Sequence, residues 1–306
     1  MNSISILLDS VVNVIQSCMN TYNRIPILTN YTPNNTVYMG NDLMIKVGVT
    51  YGKKEVTIHL NDENHALLVA GVSGSGKSNF INSAINQLLS YKDVELYLID
   101  PKIVELGRYS NIIQCVSFAS DEQSITNLLA NILANIREDY NNLLANNKVK
   151  VKPYEKAKVL IVEELALLNK QQLRILSQCV AIGRGVGYRF IVSIQRSDGN
   201  VMNNQLKSLL TTRIAFRCTN KANSQLIIET DEASEITNRG RCYVLENGIL
   251  KEVQSYYIDE KIITETINRN LKPKIKNVKE KTKIKTSIQN SNNKANNKTD
   301  KWIDEI

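Results

Sequence analysis

Along residues 45–258 the apolar positions fall into two alternating rhythms. The run 66–70 is wholly apolar, which marks a strand buried on both faces, and a glycine-rich stretch follows it at once. Residues 79–89 then switch to helical spacing, with Phe80, Ile81, Ala84, Ile85, Leu88 and Leu89 on one face. The same alternation predicts strands at 94–99, 112–117, 159–162, 190–194 and 213–218, with helices at 121–145, 170–181 and 222–228. Two hairpins flank this series. In 45–60, Ile45, Val47 and Val49 alternate before a Tyr51-Gly52-Lys53 turn, and Val56, Ile58 and Leu60 alternate after it. In 242–257 the turn is Asn247-Gly248. Strands alternating with helices predict an α/β fold with a mostly parallel sheet covered on both faces.

The two ends differ from this core. Ile4, Leu7, Leu8, Val11, Val14, Ile15 and Cys18 recur at helical spacing, interrupted by Asp9, Ser10, Asn13 and Gln16. This stretch is too short and too polar to span a bilayer, and it lacks the basic start and cleavage site of a signal peptide. The expectation is an amphipathic helix packed on its own domain or a neighbouring subunit, with membrane contact as the alternative, no transmembrane segment, and a cytoplasmic location from which partners could recruit it to the membrane. Residues 21–45 are rich in Asn, Thr, Pro and Tyr and suit a loop. From Leu271 onward Lys, Asn and Thr dominate, a composition that cannot bury enough surface to offset its ordering entropy, so disorder is expected. The expected organisation is 1–44 helix and loop, 45–262 α/β core, and 271–306 basic tail.

Charge follows that division. The net +8 suggests a nucleic-acid partner, yet ten lysines against four acids place +6 in the tail and leave +2 for the remainder. The tail suits DNA phosphates, anionic lipid or simple solubilisation. The closing Trp302-Ile303-Asp304-Glu305-Ile306 suits a docking peptide or a frayed end. Five scattered cysteines without a CxxC pair, and two histidines, indicate neither a zinc site nor a disulfide framework.

The glycine-rich stretch carries the chemistry. Gly71-Val72-Ser73-Gly74-Ser75-Gly76-Lys77-Ser78 satisfies G-x-x-x-x-G-K-[ST] between a strand and a helix. Its glycines let the backbone wrap closely round a pyrophosphate. Lys77 is expected on the β/γ-phosphates of ATP, Ser78 on Mg²⁺, and the helix N-terminus against the anion. The strand 159–162 delivers Glu163 and Glu164 at the edge where ligands of such sheets bind. Glu163 is expected to hold Mg²⁺ and Glu164 to orient and polarise the attacking water. Gln195, ending the next strand, suits a γ-phosphate sensor. Among Arg184, Arg196, Arg213 and Arg217, Arg213 is the first choice for a charge supplied across a subunit interface. The alternative for each is an ordinary strand-end polar residue or a structural or DNA-facing arginine.

Five blocks in order resemble the FtsK/SpoIIIE family of DNA-translocating ATPases. His65 to Gly71 followed by GSGKS is similar to "HLLVAG…GSGKS". Tyr97-Leu98-Ile99-Asp100-Pro101-Lys102 with Glu105-Leu106 resembles "IDPK…EL", and Val162 to Leu167 resembles "VDELADL". Gly183 to Arg189 with Ser193 to Arg196 resembles "GRAAGIH…ATQRP", and Thr212 to Phe216 resembles "TRIAF". The resemblance covers about 45–258 and implies a RecA-like P-loop core and a motor, usually a hexameric ring, that pulls double-stranded DNA through its channel by phosphate contacts. Glu163 stands where the family has Asp, Ser197 where it has Pro, and Ser224-Gln225 where Ser-Arg is frequent. No membrane anchor or winged helix is expected. The segment from Gly240-Arg241 to Asp259 is similar to conjugative-element members, which implies partners such as a relaxase or membrane transfer proteins. A viral genome-packaging ATPase, and an ATP- and DNA-binding regulatory protein, are the competing expectations.

Overall fold

The apolar run Ala66–Ala70 has no exposed residue because strands flank it on both edges and helices cover both faces. In the computed structural model, which describes residues 29–33, 38–40, 42–148, 156–195 and 204–273, the strands are β1 Thr29–Asn30, β2 Leu43–Val49, β3 Glu55–Leu60, β4 Ala66–Ala70, β5 Glu95–Ile99, β6 Cys115–Ala119, β7 Lys158–Val162, β8 Tyr188–Ile194, β9 Thr212–Phe216, β10 Arg241–Glu246 and β11 Ile249–Tyr257. The helices are α1 Lys77–Leu88, α2 Glu122–Ala145, α3 Lys170–Gly183, α4 Asn204–Leu209, α5 Lys221–Ile228 and α6 Glu260–Arg269. One sheet holds the order β3-β2-β11-β10-β9-β4-β8-β7-β5-β6, with β1 beside β11. From β9 to β6 the pairings are parallel. From β9 back to β3 they are antiparallel, the order that hairpins impose.

Period-two alternation divides the core into two layers. Ala66, Leu68 and Ala70 of β4 pack with Leu129, Ile132 and Leu176 on the α2–α3 side. Leu67 and Val69 pack with Phe80, Ile81 and Ile85 on the α1 side. The helices start where polar residues satisfy their free amides. Asp121 caps α2 by accepting from Gln123 and Ser124, and Asn169 caps α3 by accepting from Gln172. Gln172 also donates its side-chain amide to the Glu122 carbonyl at 2.9 Å, locking the two helix starts together. The Asn247-Gly248 turn has both residues at positive φ, 51° and 74°, as a two-residue hairpin loop requires.

Two elements depart from the sequence pattern. The strand expected at 112–117 is Cys115–Ala119. Ile112 instead fills a buried turn and bridges Leu271, while Ile113 donates its amide to the Asn270 carbonyl at 2.7 Å. The partner is α6, which the pattern did not anticipate and which carries the fold past residue 262 to Arg269. Its start is capped by Asp259, and Ile263 and Ile267 face the α1-side core. The amphipathic helix expected in residues 1–20 and nearly all of the tail 271–306 lie outside the described residues. Among the described residues no helix is long and apolar enough to cross a membrane.

Candidate active site

The parallel strands end on one edge, and polar residues that follow β5, β7 and β8 meet there. Val159 and Ile161 of β7 and Ile191 of β8 belong to the α1-side core. Two further steps along each strand place Glu163 and Ser193 on that side. The Lys77 ammonium is buried between them, 2.9 Å from Ser193 Oγ and 3.6 Å from Glu163 Oε1. Ser193 in turn donates its hydroxyl to the Glu163 carbonyl. Burial pushes the Glu163 carboxyl above its ordinary range, with Lys77 and then Lys102 pulling it back. Burial likewise lowers Lys77, opposed by Glu163 and Glu164.

The loop between β4 and α1 is stapled to its neighbours. Gly71 N–H donates to Ile194 at the end of β8 (3.2 Å), and Val72 N–H to Arg217 just beyond β9 (2.9 Å). Ser75 N–H donates back to Val72 at 3.2 Å. Among the described residues the amides of Ser73, Gly74 and Gly76 have no backbone carbonyl partner, and those of Lys77 and Ser78 begin α1. The first turn of a helix leaves such donors for an anion. Gly76 is constrained twice: its φ is 119°, and a Cβ there would lie 2.9 Å from Gly240 Cα.

Gly240 belongs to a clasp from the C-terminal hairpin. Its N–H donates to the Ser75 carbonyl, and its own carbonyl accepts from Ser255 N–H, both at 2.8 Å. Gln254 donates to the Arg239 carbonyl at 3.1 Å and accepts from Arg241 Nε at 3.1 Å. Beside this clasp a cavity of about 400 Å³ is lined by Gly76, Asn79, Arg239, Gly240, Ser255 and Tyr257.

Glu164 is fixed on the other side of Glu163. Its Oε1 accepts the Gln195 backbone N–H at 3.1 Å and that of Ala166 at 3.5 Å, and its Oε2 lies 3.2 Å from Lys102 Nζ. The expected trio Lys77, Glu163 and Glu164 is thus brought together, with Gln195 joined through its backbone. Ser193 and Lys102 complete the cluster without having been singled out for it. Ser193 was visible as the one hydroxyl in an otherwise apolar strand end.

Arg213 is placed elsewhere. Its guanidinium is buried and donates to the carbonyls of Leu210, Ile227 and Lys207 and to the Glu229 carboxylate, at 2.7–3.0 Å. These bonds brace β9 against α5, so the side chain expected to face another subunit is turned into its own chain. Arg217 is exposed, next to the P-loop. Arg196 lies outside the described residues.

The residues fit a magnesium nucleotide. Among the described residues Glu163 Oε2 is buried without a hydrogen-bond partner, and it and the hydroxyl of Ser78, next to Lys77, are hard oxygen donors of the kind Mg²⁺ takes. Loop, lysine and acidic strand end together define a P-loop nucleotide-binding protein. The FtsK/SpoIIIE family profile matches residues 27–254, and the chain belongs to that family. DNA translocase FtsK of Staphylococcus aureus is 28% identical over 255 aligned residues, covering 74% of this chain and 32% of the relative. DNA translocase FtsK of Campylobacter jejuni is 31% identical over 233 residues, covering 70% of this chain and 24% of the relative. The chain therefore spans a third or less of the length of these relatives. Among solved structures, the pCW3 conjugation coupling protein TcpA, in a monomer form with ATPγS, superposes with a TM-score of 0.70 at 20% identity, covering 81% of this chain and 75% of that one. The cytoplasmic domain of the type VII secretion ATPase EccC of Thermomonospora curvata gives 0.65 at 14% identity, covering 80% and 33%.

Proposed function

We propose that this chain is the motor unit of an ATP-driven double-stranded DNA translocase acting in the transfer of a plasmid or integrative conjugative element. The observation that carries the reading is the convergence of Lys77, Glu163 and Glu164 at the mouth of a phosphate-binding loop. The free amides of the loop and Lys77 take the β- and γ-phosphates of ATP. Ser78 and Glu163 would hold Mg²⁺, which would supply charge neutralisation for the phosphates. Glu164, oriented by the Gln195 amide, positions a water and accepts its proton as the water oxygen bonds to the γ-phosphorus and the bond to the β-phosphate oxygen breaks. The 400 Å³ cavity beside Gly76 takes the ribose and base.

The conjugative role is supported by the likeness to TcpA and the Gly240–Asp259 segment. By analogy with the family, subunits assemble in a ring, hexameric in the usual case, around DNA gripped by its phosphates. Arg217, exposed at the P-loop, is better placed than Arg213 to complete a neighbour's site. A relaxase or membrane transfer proteins would recruit this cytoplasmic motor. ATP turnover with and without linear duplex DNA, together with displacement of a triplex strand, tests the reading. DNA is expected to raise turnover, triplex displacement to require ATP, and Lys77→Ala to abolish both. Wild-type turnover no higher than that of Lys77→Ala, with DNA present, refutes the motor.

A further inference from the structure

Hydrolysis as described leaves Lys102 without a task, yet it is built into the site. Asp100, fully buried at the end of β5, accepts four backbone amides: Lys102 and Ile103 on Oδ1 at 3.1 and 3.0 Å, Glu105 and Leu106 on Oδ2 at 3.0 and 2.8 Å. The loop after β5 is wrapped round one carboxylate, which fixes the point from which the Lys102 side chain departs. That side chain is about one-third exposed and turns back into the acidic pair. Its ammonium lies 3.2 Å from Glu164 Oε2 and 3.7 Å from Glu163 Oε2.

Both oxygens matter. Glu163 Oε2 has no hydrogen-bond donor and is the free oxygen of the carboxylate expected to bind metal. Glu164 Oε2 is the oxygen left over once Oε1 is held by the Gln195 amide. A carboxylate oxygen occupied by an ammonium is a poor acceptor for a proton from water. Lys77 and Lys102 together balance two buried acids, which neutralises a site that burial alone would make costly.

We propose, resting on the assignment of this edge as a magnesium–ATP site, that Lys102 is a positioning residue that serves as the site's internal cation, holding Glu163 and Glu164 until Mg²⁺ displaces it. Lys102 and Mg²⁺ compete for Glu163 Oε2. Displacement frees Glu164 for water, so turnover begins only after the metal nucleotide is seated. The partial exposure of Lys102 gives its ammonium somewhere to go.

The test is a magnesium titration of a fluorescent, non-hydrolysable ATP analogue bound to wild type, Lys102→Met and Lys102→Arg. Lys102→Met is expected to need at least about threefold less Mg²⁺ for half-maximal binding, the scale of one partly exposed ion pair. Lys102→Arg keeps the charge and is expected to match wild type. An unchanged or raised magnesium requirement in Lys102→Met overturns the proposal while leaving the ATP site intact. Wild type that binds no analogue at any magnesium concentration overturns both. Should Lys102→Met fail to fold, amine acetylation of wild type read by mass spectrometry decides. Labelling of Lys102 is expected to rise at least about threefold when Mg²⁺ and analogue are added together, and unchanged or reduced labelling overturns the proposal.

Discussion

At Gly76 two demands meet in one residue: a left-handed backbone and a neighbouring chain too close for a side chain. Gly76→Ala is expected to destabilise the fold by about 1–3 kcal/mol and to weaken nucleotide binding, because the Gly240 clasp must retreat from Ser75. Denaturant unfolding and analogue titration measure the two effects. Glu164→Gln is expected to keep nucleotide affinity and lower turnover by about 10²-fold or more, since an amide still accepts the Gln195 N–H but takes no proton from water. The loop was legible in the sequence because its motif is local, with Gly71, Gly76, Lys77 and Ser78 at its fixed positions. The acidic pair was legible as the end of an apolar strand. Ser193 stood out as a hydroxyl in an apolar strand end, but the clasp made by Gly240 and Gln254 was hidden, because each acts through a partner remote in sequence. The setting of Arg213 was hidden for a related reason: a charge in a strand gives no sign of which carbonyls will surround it.

Between elements, two straps hold the end of the sheet opposite the P-loop. His65 enters β4 with its backbone carbonyl accepting Phe190 N–H and its Nε2 2.8 Å from the Val180 carbonyl of α3. A carbonyl only accepts, so Nε2 carries the proton. Burial lowers the imidazole's affinity for a second proton below the ordinary 6.5, despite the carbonyl bond. The unfolded chain therefore binds that proton more readily, and stability contributed by neutral His65 is lost as pH falls below about 6.5. Melting temperature is expected to decline over that window in wild type and to decline less in His65→Gln. Arg189 is the second strap, fully buried in β8, donating to the Leu60, Arg184 and Tyr188 carbonyls and to Asp62. Arg189→Leu leaves those acceptors and is expected to cost about 3 kcal/mol in denaturant unfolding. The strands and longer helices were legible because burial on both faces forces continuous apolar runs. The α6 helix was missed where its ten residues follow a hairpin, although Asp259 and the Ile263–Ile267 spacing signal it.

For the whole molecule, the described fold closes with α6 against the turn at Ile112. Removal of residues 274–306 is expected to leave melting and nucleotide binding unchanged. It is also expected to weaken DNA binding and flatten its dependence on salt, since most of the chain's net positive charge lies there. An unchanged salt slope in filter binding would assign DNA contact to the motor core alone.

The strand order has a further consequence, for the birth of the protein. β4 is flanked by β8 and β9, so its neighbour residue Phe190 leaves the ribosome about 120 residues after Ala66. At ordinary elongation rates that is roughly 6–25 s during which the most apolar strand has neither edge partner. The clasp at Gly240 comes later still. A nascent chain halted before the C-terminal hairpin therefore carries the complete phosphate-loop sequence and no finished nucleotide pocket. Chaperone demand during synthesis should track the emergence of β8 and β9 rather than that of the loop itself.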